Sequence, residues 1–246
     1  MHRCFYKADL AEGETIYVDG EEAIHMLRVL RLTKGDFVEI TSANGKVFSG
    51  EIISEDKKIL EILVGKEMEE NFEPSKNVKL FIGLTKSAKL ELVIQKAVEL
   101  GISEIYPVAM QRSVVKAKEE DKKTDRFRKI ALEAVKQCKR NKIPFVSQPV
   151  DFKKAIELLK ECDISFAPYE GEKQVSLKSV LGSKECNSIG YIIGPEGGFS
   201  LEEIEFIKKN NIPSVTLGSR ILRMETAAIS VLGIVMYEMG EMDRFN

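Results

Sequence analysis

The chain has 246 residues, of which 43% are hydrophobic and 31% are charged. This composition is typical of an ordinary globular protein with one large or two modest domains, and it excludes low-complexity and disordered chains. The formal net charge of −2 excludes a protein that is basic throughout, so any support for nucleic-acid binding must come from a local cluster of charge.

The first 71 residues are predicted to form a compact β-barrel. Phe37–Thr41 alternates apolar and polar residues, Asn44-Gly45 is a strong hairpin turn, and residues 46–53 supply the return strand. Residues 58–64 make a further strand. A set of such short strands is typical of a small barrel.

A short helix is predicted within this β region, and a linker after it. Asp19 is placed to cap the helix, in which apolar residues recur at helical spacing at Ile24, Leu27 and Leu30. The polar segment 67–77, which contains Pro74, is predicted to be the linker. We therefore place one domain at residues 1–71 and a second at residues 75–246.

From residue 75 onward, short apolar strands alternate with helices. The strands are predicted at residues 78–84, 105–108, 164–167, 189–193 and 215–217. Local motifs indicate the ends of the helices: a stop at Gly101, caps at Thr124 and Asp151, and a capping box of Ser200 and Glu203. A last helix is predicted over residues 226–239. This alternation predicts an α/β fold with a parallel sheet that helices cover on both faces.

Three loops that follow strands carry residues suited to a ligand, at 168–171, 194–200 and 217–227. Ligands bind outside the carboxyl ends of the strands in open α/β sheets. The second loop has three glycines within five residues before a helix, which suits a nucleotide-like ligand or an anion, with a tight structural turn as the alternative. The loop is neither a Walker A sequence nor a dinucleotide-binding fingerprint.

The third loop adds apolar and charged groups. Ile221 and Leu222 could sandwich an adenine or a thioether, and Arg223 and Glu225 offer a cation and a carboxylate beside them. The alternative is an Arg223–Glu225 ion pair that stabilises the start of the final helix, where a carboxylate also suits the helix dipole.

One segment is locally basic. Residues 116–142 contain eleven Lys or Arg and five Asp or Glu. A positive patch of this kind supplies salt-sensitive affinity for RNA. The alternative is a solvated helix face.

No motif predicts a metal site or a membrane span. The four cysteines are scattered without a C-x-x-C pair, which predicts isolated buried thiols in a reducing compartment, at Cys4, Cys138, Cys162 and Cys186. The apolar run 227–237 is too short to cross a bilayer, and the first residues lack the apolar core of a secretory signal. We therefore expect a cytosolic protein.

Several motifs together resemble one family of SPOUT (SpoU–TrmD) methyltransferases, the ribosomal RNA small subunit methyltransferase E family. The motifs are Gly194-Pro195-Glu196-Gly197-Gly198-Phe199-Ser200, Leu217-Gly218, Ile221-Leu222-Arg223-Met224-Glu225-Thr226-Ala227 and Gln95-Lys96-Ala97-Val98-Glu99-Leu100-Gly101-Ile102, with shorter matches such as Arg112-Ser113-Val114-Val115. Met224 and Lys136 depart from the family pattern, which usually has a threonine and an acidic residue there. We expect these two departures to affect local RNA contacts more than the enzymatic activity of the family.

The resemblance implies an N-terminal PUA-like barrel that recognises RNA and a C-terminal α/β domain with a trefoil knot, working as a homodimer. It implies methylation of N3 of a uridine in 16S ribosomal RNA of the small ribosomal subunit with S-adenosyl-L-methionine. It also implies which residues hold this cofactor: Pro168, Tyr169, Glu170, Gly194, Pro195, Glu196, Gly197, Gly198, Leu217, Gly218, Ile221, Leu222 and Arg223.

The chemistry of that reaction predicts the catalytic residues. Uracil N3 carries a proton that must leave, so a base, or a cation that stabilises developing charge on the ring oxygens, is required. Arg223 fits the stabilising role, and Glu225 or Glu196 fits the role of base. Glu196 capping the helix start is the alternative.

RNA contacts are predicted from Arg3, His25, Arg28, Arg31, Arg112 and Arg140, together with the basic segment 116–142. Arg28 and Arg31 are three residues apart, which predicts that they share one side of the short helix and face phosphates. For His25 the alternative is a half-buried helix histidine.

Two other classes of function compete with this reading. One is a non-catalytic RNA-binding or ribosome-assembly factor that keeps the fold and binds no cofactor. The other is an oxidoreductase or kinase that uses the glycine loop for phosphates, against which the missing fingerprints count.

Overall fold

The computed structural model describes residues 1–56, 58–69, 71–115, 123–182 and 185–243. Its contacts divide these residues into two compact units. The N-terminal unit comprises Met1–Glu73 and Lys136–Lys142, and the α/β unit comprises Pro74–Val135 and the residues from Ile143 onward.

Within its described residues, the N-terminal unit has five strands in one sheet. The strands lie in the order β1-β3-β4-β5-β2, with β1 parallel to β3 and the other pairs antiparallel. Their bounds are β1 Arg3–Phe5, β2 Thr15–Val18, β3 Phe37–Thr41, β4 Val47–Asp56 and β5 Ile59–Met68. The predicted hairpin of β3 and β4 is confirmed, since Thr41 pairs with Val47 across the Asn44-Gly45 turn.

The core of this unit comes from alternate residues of the strands. Ile16, Ile40, Ile52 and Ile62 are fully or almost fully buried together in one apolar cluster. Alternation places these side chains on one face of each strand. A Cβ at Gly50 would lie 2.5 Å from the Ile40 side chain, so any other residue there would require side chains of this cluster to shift.

The short helix of this unit differs from its prediction in two respects. Helix α1 covers only Gly20–Ile24, Asp19 makes no side-chain capping bond, and one π-helical turn, His25–Val29, follows. Arg31 lies beyond this turn with a φ of 56°. The prediction that Arg28 and Arg31 share one helix side is therefore wrong, because the helix has ended before Arg31.

The α/β unit is built on one parallel sheet. The strands run in the order β12-β10-β11-β6-β7-β8, and β9 also pairs with β7. Every pairing between its described strands is parallel. The strands are β6 Asn77–Gly83, β7 Glu104–Ala109, β8 Phe145–Val146, β9 Val150–Asp151, β10 Ile164–Pro168, β11 Ser188–Ile193 and β12 Ser214–Val215.

Helices cover both faces of this sheet, as predicted. The helices are α2 Ser87–Glu99, α3 Thr124–Cys138, α4 Phe152–Lys160, α5 Leu177–Leu181, α6 Leu201–Lys209 and α7 Met224–Glu238. Ile192 of β11 packs in one cluster with Ile156 of α4 and Ile207 of α6. The preceding residue, Tyr191, donates its hydroxyl to the Ala228 carbonyl of α7 at 2.9 Å. Because neighbouring strand residues point to opposite faces, α4 and α6 lie on one face and α7 on the other.

The helix ends predicted from local motifs are also confirmed. Gly101, after α2, has a φ of 97°. Asp151 accepts a hydrogen bond from the Lys154 amide, and Ser200 and Glu203 form the expected capping box. Strand β12 is shorter than predicted.

The strand order determines where loops meet. The chain lays down β6 in the middle of the sheet, adds β7 and β8 on one side, and then crosses to β10 on the other side. Strand β11 enters between β10 and β6, and β12 adds at the outer edge. The carboxyl ends of β10, β11 and β12 are therefore neighbours, at the reversal of strand order where ligands bind in such sheets.

Candidate functional site

A cleft of about 590 Å³ lies at the carboxyl ends of β10, β11 and β12. Clefts that hold small ligands are typically about 300–1,000 Å³. Every residue predicted to hold the cofactor lines this cleft except Gly197, and the three predicted catalytic residues line it as well. The lining also includes residues that the sequence analysis assigned neither to the cofactor nor to catalysis: Lys89, Ile193, Phe199, Thr216, Ser219, Arg220, Met224 and Ala227.

The glycine loop after β11 is held close to the end of β6. A Cβ on Gly83 would lie 2.4 Å from the Pro195 backbone nitrogen, so only glycine permits this approach. Gly198 has a φ of 68°, which other residues rarely adopt. Gly197 faces away from the cleft lining, and its carbonyl accepts a hydrogen bond from Arg112 at 3.0 Å.

The helix that follows this loop has its first amides satisfied by protein groups. Ser200 accepts from the Glu203 amide at 3.1 Å, and the Glu203 carboxylate accepts from the Ser200 amide at 2.8 Å. The other oxygen of Glu203 accepts from the Gln111 amide at 2.8 Å. The start of α6 therefore already holds a buried carboxylate, which argues against the anion predicted as a ligand there and against a phosphate-binding enzyme.

The third loop exposes its predicted apolar and cationic groups. Ile221 is 84% exposed, and Leu222 is half-buried. Arg223 is exposed at the N-cap position of α7, where its carbonyl accepts from the Ala227 amide at 2.8 Å. Within the described part of the chain, its guanidinium has no ion-pair partner and Glu225 pairs with Lys89 instead. The alternative of an Arg223–Glu225 pair is therefore wrong.

Two carboxylates of the cleft share one lysine. Lys89 Nζ lies 2.5 Å from Glu196 Oε1 and 3.9 Å from Glu225 Oε2. Glu196 Oε1 also accepts from the Thr85 hydroxyl at 3.1 Å. The hydrogen bond from Lys89 lowers the pKa of Glu196 below its usual value, assisted by the bond from Thr85. Glu196 is thus a weaker proton acceptor than a glutamate with an unshifted pKa, which counts against its predicted role as the base.

Glu225 differs from Glu196 in its bonding. Its Oε2 atom is buried and has no hydrogen-bond partner among the described residues. A buried carboxylate oxygen without a hydrogen-bond donor is unfavourable, and a functional role is one explanation for such a group. Glu225 contributes a carboxylate to the lining of the cleft, and Arg223 contributes an exposed cation.

Lys89 was missed by the sequence analysis. It lies in the first turn of α2, and the available signal was that α2 follows the carboxyl end of β6. The glutamates that it contacts are more than 100 positions away in the sequence, so no local pattern could pair them.

Two residues predicted to contact RNA are buried structural groups. Arg3 is 2% exposed; it pairs with Glu39 at 2.8 Å and donates to the Lys139 carbonyl. Arg140 is 5% exposed and pairs with Glu73 at 2.7 Å. Both arginines were predicted as RNA contacts, and their burial in ion pairs removes them from that set.

The other predicted RNA contacts are more accessible. His25 is half-buried, with its ring centroid 5.5 Å from that of His2, which agrees with the alternative of a half-buried helix histidine. Arg28 and Arg31 are exposed and have no ion-pair partner among the described residues. Arg112 is exposed but donates to Gly197, so it also supports the glycine loop.

The basic segment is less positive in the structure than its composition indicates. Residues 116–122 lie outside the described residues. In the described part, several cations pair with carboxylates from elsewhere in the chain, namely Arg126 with Glu91, Lys136 with Glu22, Lys139 with Glu39 and Arg140 with Glu73. Most of the charge excess of the described part is therefore offset, which weakens the prediction of a positive patch for RNA.

The four cysteines, all among the described residues, form no disulfide; Cys138 is half-buried and the others are buried. Burial raises the pKa of Cys4 to about 12 and that of Cys162 to about 11, so both stay protonated. The described residues contain no group of three or more His, Cys, Asp or Glu that could hold a metal ion. None of the described helices is long and apolar enough to span a membrane.

The chain is similar to known proteins over almost its whole length. A family described as "RNA methyltransferase domain" matches residues 72–236, and one described as "RNA methyltransferase PUA domain" matches residues 18–64. Ribosomal RNA small subunit methyltransferase E of Bacillus subtilis (strain 168) is 34% identical over 239 residues, covering 94% of this chain and 93% of the relative. The enzyme of the same name from Aquifex aeolicus is 29% identical, covering 96% and 99%.

A solved structure is also similar in fold. Ribosomal RNA small subunit methyltransferase E from Neisseria gonorrhoeae, crystallised with S-adenosyl methionine, aligns with a TM-score of 0.87 and 25% identity. The alignment covers 96% of this chain and 97% of that one.

Proposed function

Because this chain belongs to the ribosomal RNA small subunit methyltransferase E family, we propose that it transfers a methyl group from S-adenosyl-L-methionine to N3 of a uridine in 16S ribosomal RNA. The observation that carries this proposal is the cleft at the ends of β10, β11 and β12, whose lining contains the Glu225 carboxylate and the Arg223 guanidinium, a cation with no ion-pair partner among the described residues.

The cleft fits the cofactor in size and in chemistry. An adenosyl sulfonium with an amino-acid tail needs apolar walls, backbone groups and a few charged side chains. Ile221 and Leu222 supply apolar surface, the glycine loop supplies accessible backbone, and Glu170 supplies a carboxylate opposite Gly198. When bound, S-adenosylmethionine supplies an electrophilic methyl group on its sulfonium.

The protein's own task is to position uracil and to take its N3 proton. The Glu225 carboxylate is the acceptor: as the methyl group passes from the sulfonium to N3, the proton of N3 passes to this carboxylate. Arg223 stabilises negative charge that develops on a ring oxygen. Glu196, bonded to Lys89 and Thr85, holds the charged cluster in place and does not take the proton.

The same proposal covers the roles of the two domains, the oligomeric state and the cellular location of the protein. Residues 1–71 form a PUA-like domain for RNA recognition, and residues 75–246 form a SPOUT methyltransferase domain with a trefoil knot. The protein acts as a homodimer on the small ribosomal subunit in the cytoplasm. The family membership and the match of the PUA description to residues 18–64 support these assignments.

The test is methylation of small ribosomal subunits that lack the modification, with radiolabelled cofactor and mass spectrometry of the nucleoside product. We expect 3-methyluridine at one position of 16S RNA. Methyl transfer to another atom would overturn the N3 assignment. RNA binding with neither cofactor binding nor transfer would favour the non-catalytic assembly factor.

Arg223 is tested in the same assay. The variant Arg223→Ala should lose about 100-fold in turnover at saturating cofactor, since removal of one charge-stabilising donor typically costs about 10²–10³. Cofactor affinity measured by calorimetry is the control. Undiminished turnover with normal cofactor affinity would remove Arg223 from the chemistry.

A further inference from the structure

A turn at residues 110–113 contacts the glycine loop from outside the cleft. The turn follows β7, and two hydrogen bonds of 3.1 Å between its first and last residues close it. Its Arg112 side chain donates to the Gly197 carbonyl at 3.0 Å. The next residue, Gly198, lines the cleft, whereas Gly197 is not part of the lining. Arg112 therefore holds the glycine loop on the side away from a ligand.

The bond from Arg112 holds one particular peptide group of the loop. The Gly197 carbonyl and the Gly198 amide belong to the same planar peptide, and in a trans peptide these two groups point in opposite directions. The Gly198 amide donates to the Pro195 carbonyl at 2.9 Å. The peptide is therefore bonded at both ends, to Arg112 on one side and to Pro195 on the other.

This peptide would rotate more freely than its neighbours without such bonds. Neither Gly197 nor Gly198 has a Cβ that restricts its dihedral angles. Gly198 has a φ of 68° and lines the cleft, so the orientation of the peptide determines which backbone groups the loop presents to a ligand. A bond that fixes the carbonyl thus affects the cleft, although its donor lies outside.

Two further contacts place Arg112 for this role. A Cβ on Gly197 would lie 3.1 Å from Arg112 Cβ, so the arginine packs directly against this glycine. The Gln111 amide donates to the carboxylate of Glu203, a buried residue, at 2.8 Å. This bond anchors the turn through its main chain. Loss of the Arg112 guanidinium should therefore release the peptide and leave the turn in place.

We propose that Arg112 is a positioning residue that fixes the Gly197–Gly198 peptide and so preforms the glycine loop for the cofactor. The inference rests on the proposed function, which supplies S-adenosylmethionine as the ligand. Among the described residues, those that line the cleft do not include Arg112, so it acts through the loop. The sequence analysis predicted an RNA contact for this arginine, and the positioning role takes the place of that contact.

The first experiment measures hydrogen exchange of the Gly198 amide by NMR in the cofactor-free wild-type chain and in Arg112→Met. Methionine keeps an unbranched side chain beside Gly197 but has no donor. The released peptide rotates away from the Pro195 carbonyl, so the Gly198 amide should exchange at least about tenfold faster. Exchange at the wild-type rate would overturn the proposal.

The second experiment measures the affinity for S-adenosylmethionine by calorimetry. If loss of the bond reduces the binding-competent orientation to about a tenth of the population, the apparent Kd rises about tenfold. Arg112→Lys should recover part of the affinity, because an ammonium also donates to a carbonyl. Wild-type affinity in Arg112→Met would contradict a preformed loop that depends on this bond.

Arg128→Met is the matched control. Arg128 also donates to a backbone carbonyl, that of Val146 at 3.1 Å, but Val146 lies in β8, at the opposite edge of the sheet from β12. This variant should keep the wild-type cofactor affinity and the wild-type exchange of Gly198. Thermal unfolding of each variant shows whether it is folded. An equal loss of cofactor affinity in both variants would overturn the specific role of Arg112.

The outcomes separate this inference from the proposed function. Weaker RNA binding by Arg112→Met, with unchanged Gly198 exchange and cofactor affinity, would overturn the positioning role and return Arg112 to the RNA contacts. If the wild-type protein bound no S-adenosylmethionine, the proposed function would fall. The exchange of Gly198, measured without cofactor, would still decide whether Arg112 fixes the peptide.

Discussion

Arg3 and Glu39 form an ion pair in which both side chains are almost fully removed from solvent. Removing one partner of such a pair leaves an uncompensated buried charge, which typically costs about 3–5 kcal/mol. We expect Arg3→Met to lower the free energy of unfolding by about 3 kcal/mol, near the low end because Lys139 also lies 3.6 Å from Glu39. Urea unfolding followed by circular dichroism measures this.

The control for Arg3 is the double variant Arg3→Met/Glu39→Met. Replacing both partners by apolar side chains removes the buried charge, so much of the lost stability should return. Weaker RNA binding by Arg3→Met at unchanged stability would instead restore Arg3 as an RNA contact.

Glu22 makes the stability of the N-terminal unit depend on pH. Burial alone would raise its pKa, but hydrogen bonds from His2 and Lys136 outweigh burial and lower the pKa to about 2. A carboxylate with a lowered pKa stabilises the fold above its unfolded-state value, 4.5, and that stability is lost as the pH falls towards 2. The stability difference between wild type and Glu22→Gln should therefore shrink by about 2 kcal/mol over this range.

Denaturant unfolding of both proteins at several pH values between 5 and 2 provides the measurement. Lys136→Met, which removes one of the two donors, should reduce the pH dependence without abolishing it. If the stability difference between wild type and Glu22→Gln stayed constant over this pH range, these contacts would not be lowering the pKa of Glu22.

At this scale the sequence identifies residue types but not their partners. Arg223 and Glu225 were found because they follow a strand end, which is a local signal. The burial of Arg3 and Arg140 depends on Glu39 and Glu73, which are 36 and 67 positions away. The excess charge of residues 116–142 was misleading for the same reason, since the neutralising carboxylates lie outside the segment.

At the scale of secondary-structure elements, the end of β6 packs closely against the glycine loop. Gly83 ends β6 where the Pro195 backbone passes, and a Cβ there would clash with backbone rather than with a flexible side chain. Gly83→Ala should displace the loop and weaken cofactor binding by at least about tenfold, because small displacements in a binding site are costly. Calorimetric titration with S-adenosylmethionine measures the change.

Gly233→Ala is the matched control for Gly83→Ala. Gly233 lies within α7, and a Cβ there would meet nothing within 4 Å. This variant should keep its cofactor affinity and gain about 0.5–1 kcal/mol in stability, since alanine favours a helix interior. Equal affinity of both variants for the cofactor would contradict the close approach at Gly83.

Elements with local signals were predicted well from the sequence, and elements defined by their partners were not. The Asp151 cap of α4, the capping box of α6 and the glycine stop of α2 are each read within a few residues. Strands β1, β8 and β9 have two or three residues each, and only pairing with β3 or β7 makes them strands. Periodicity needs more residues than these strands contain.

For the whole molecule, the parallel sheet was predictable and the strand order was not. Alternating strands and helices imply parallel strands, and their carboxyl ends share one edge. That was enough to predict that ligand-binding residues lie in loops 168–171, 194–200 and 217–227, whereas the prediction that these loops hold one cofactor came from the family resemblance. The adjacency of β12, β10 and β11 comes from long-range pairing, which no local pattern specifies.

RNA recognition is expected to depend on the N-terminal unit. Arg28 and Arg31 are exposed cations there, and reversal of both charges should weaken RNA binding and reduce the slope of log K against log salt by about 1–2. Cofactor affinity should not change. Filter binding at several salt concentrations measures the effect.

Lys153→Glu/Lys154→Glu in α4 is the matched charge reversal in the α/β unit. Both lysines are exposed and remote in sequence from the cleft loops. An equal loss of RNA affinity in the two double variants would show that the protein's overall charge, and not the N-terminal unit, determines binding.

The central claim is that Glu225 takes the N3 proton in a cleft that also holds the cofactor. Single-turnover methylation by Glu225→Gln at saturating S-adenosylmethionine tests it directly, because the amide keeps the size of the side chain and cannot act as the base. We expect cofactor affinity to remain near the wild-type value and the rate of methyl transfer to fall by about 10²-fold or more. Transfer at the wild-type rate would contradict the account.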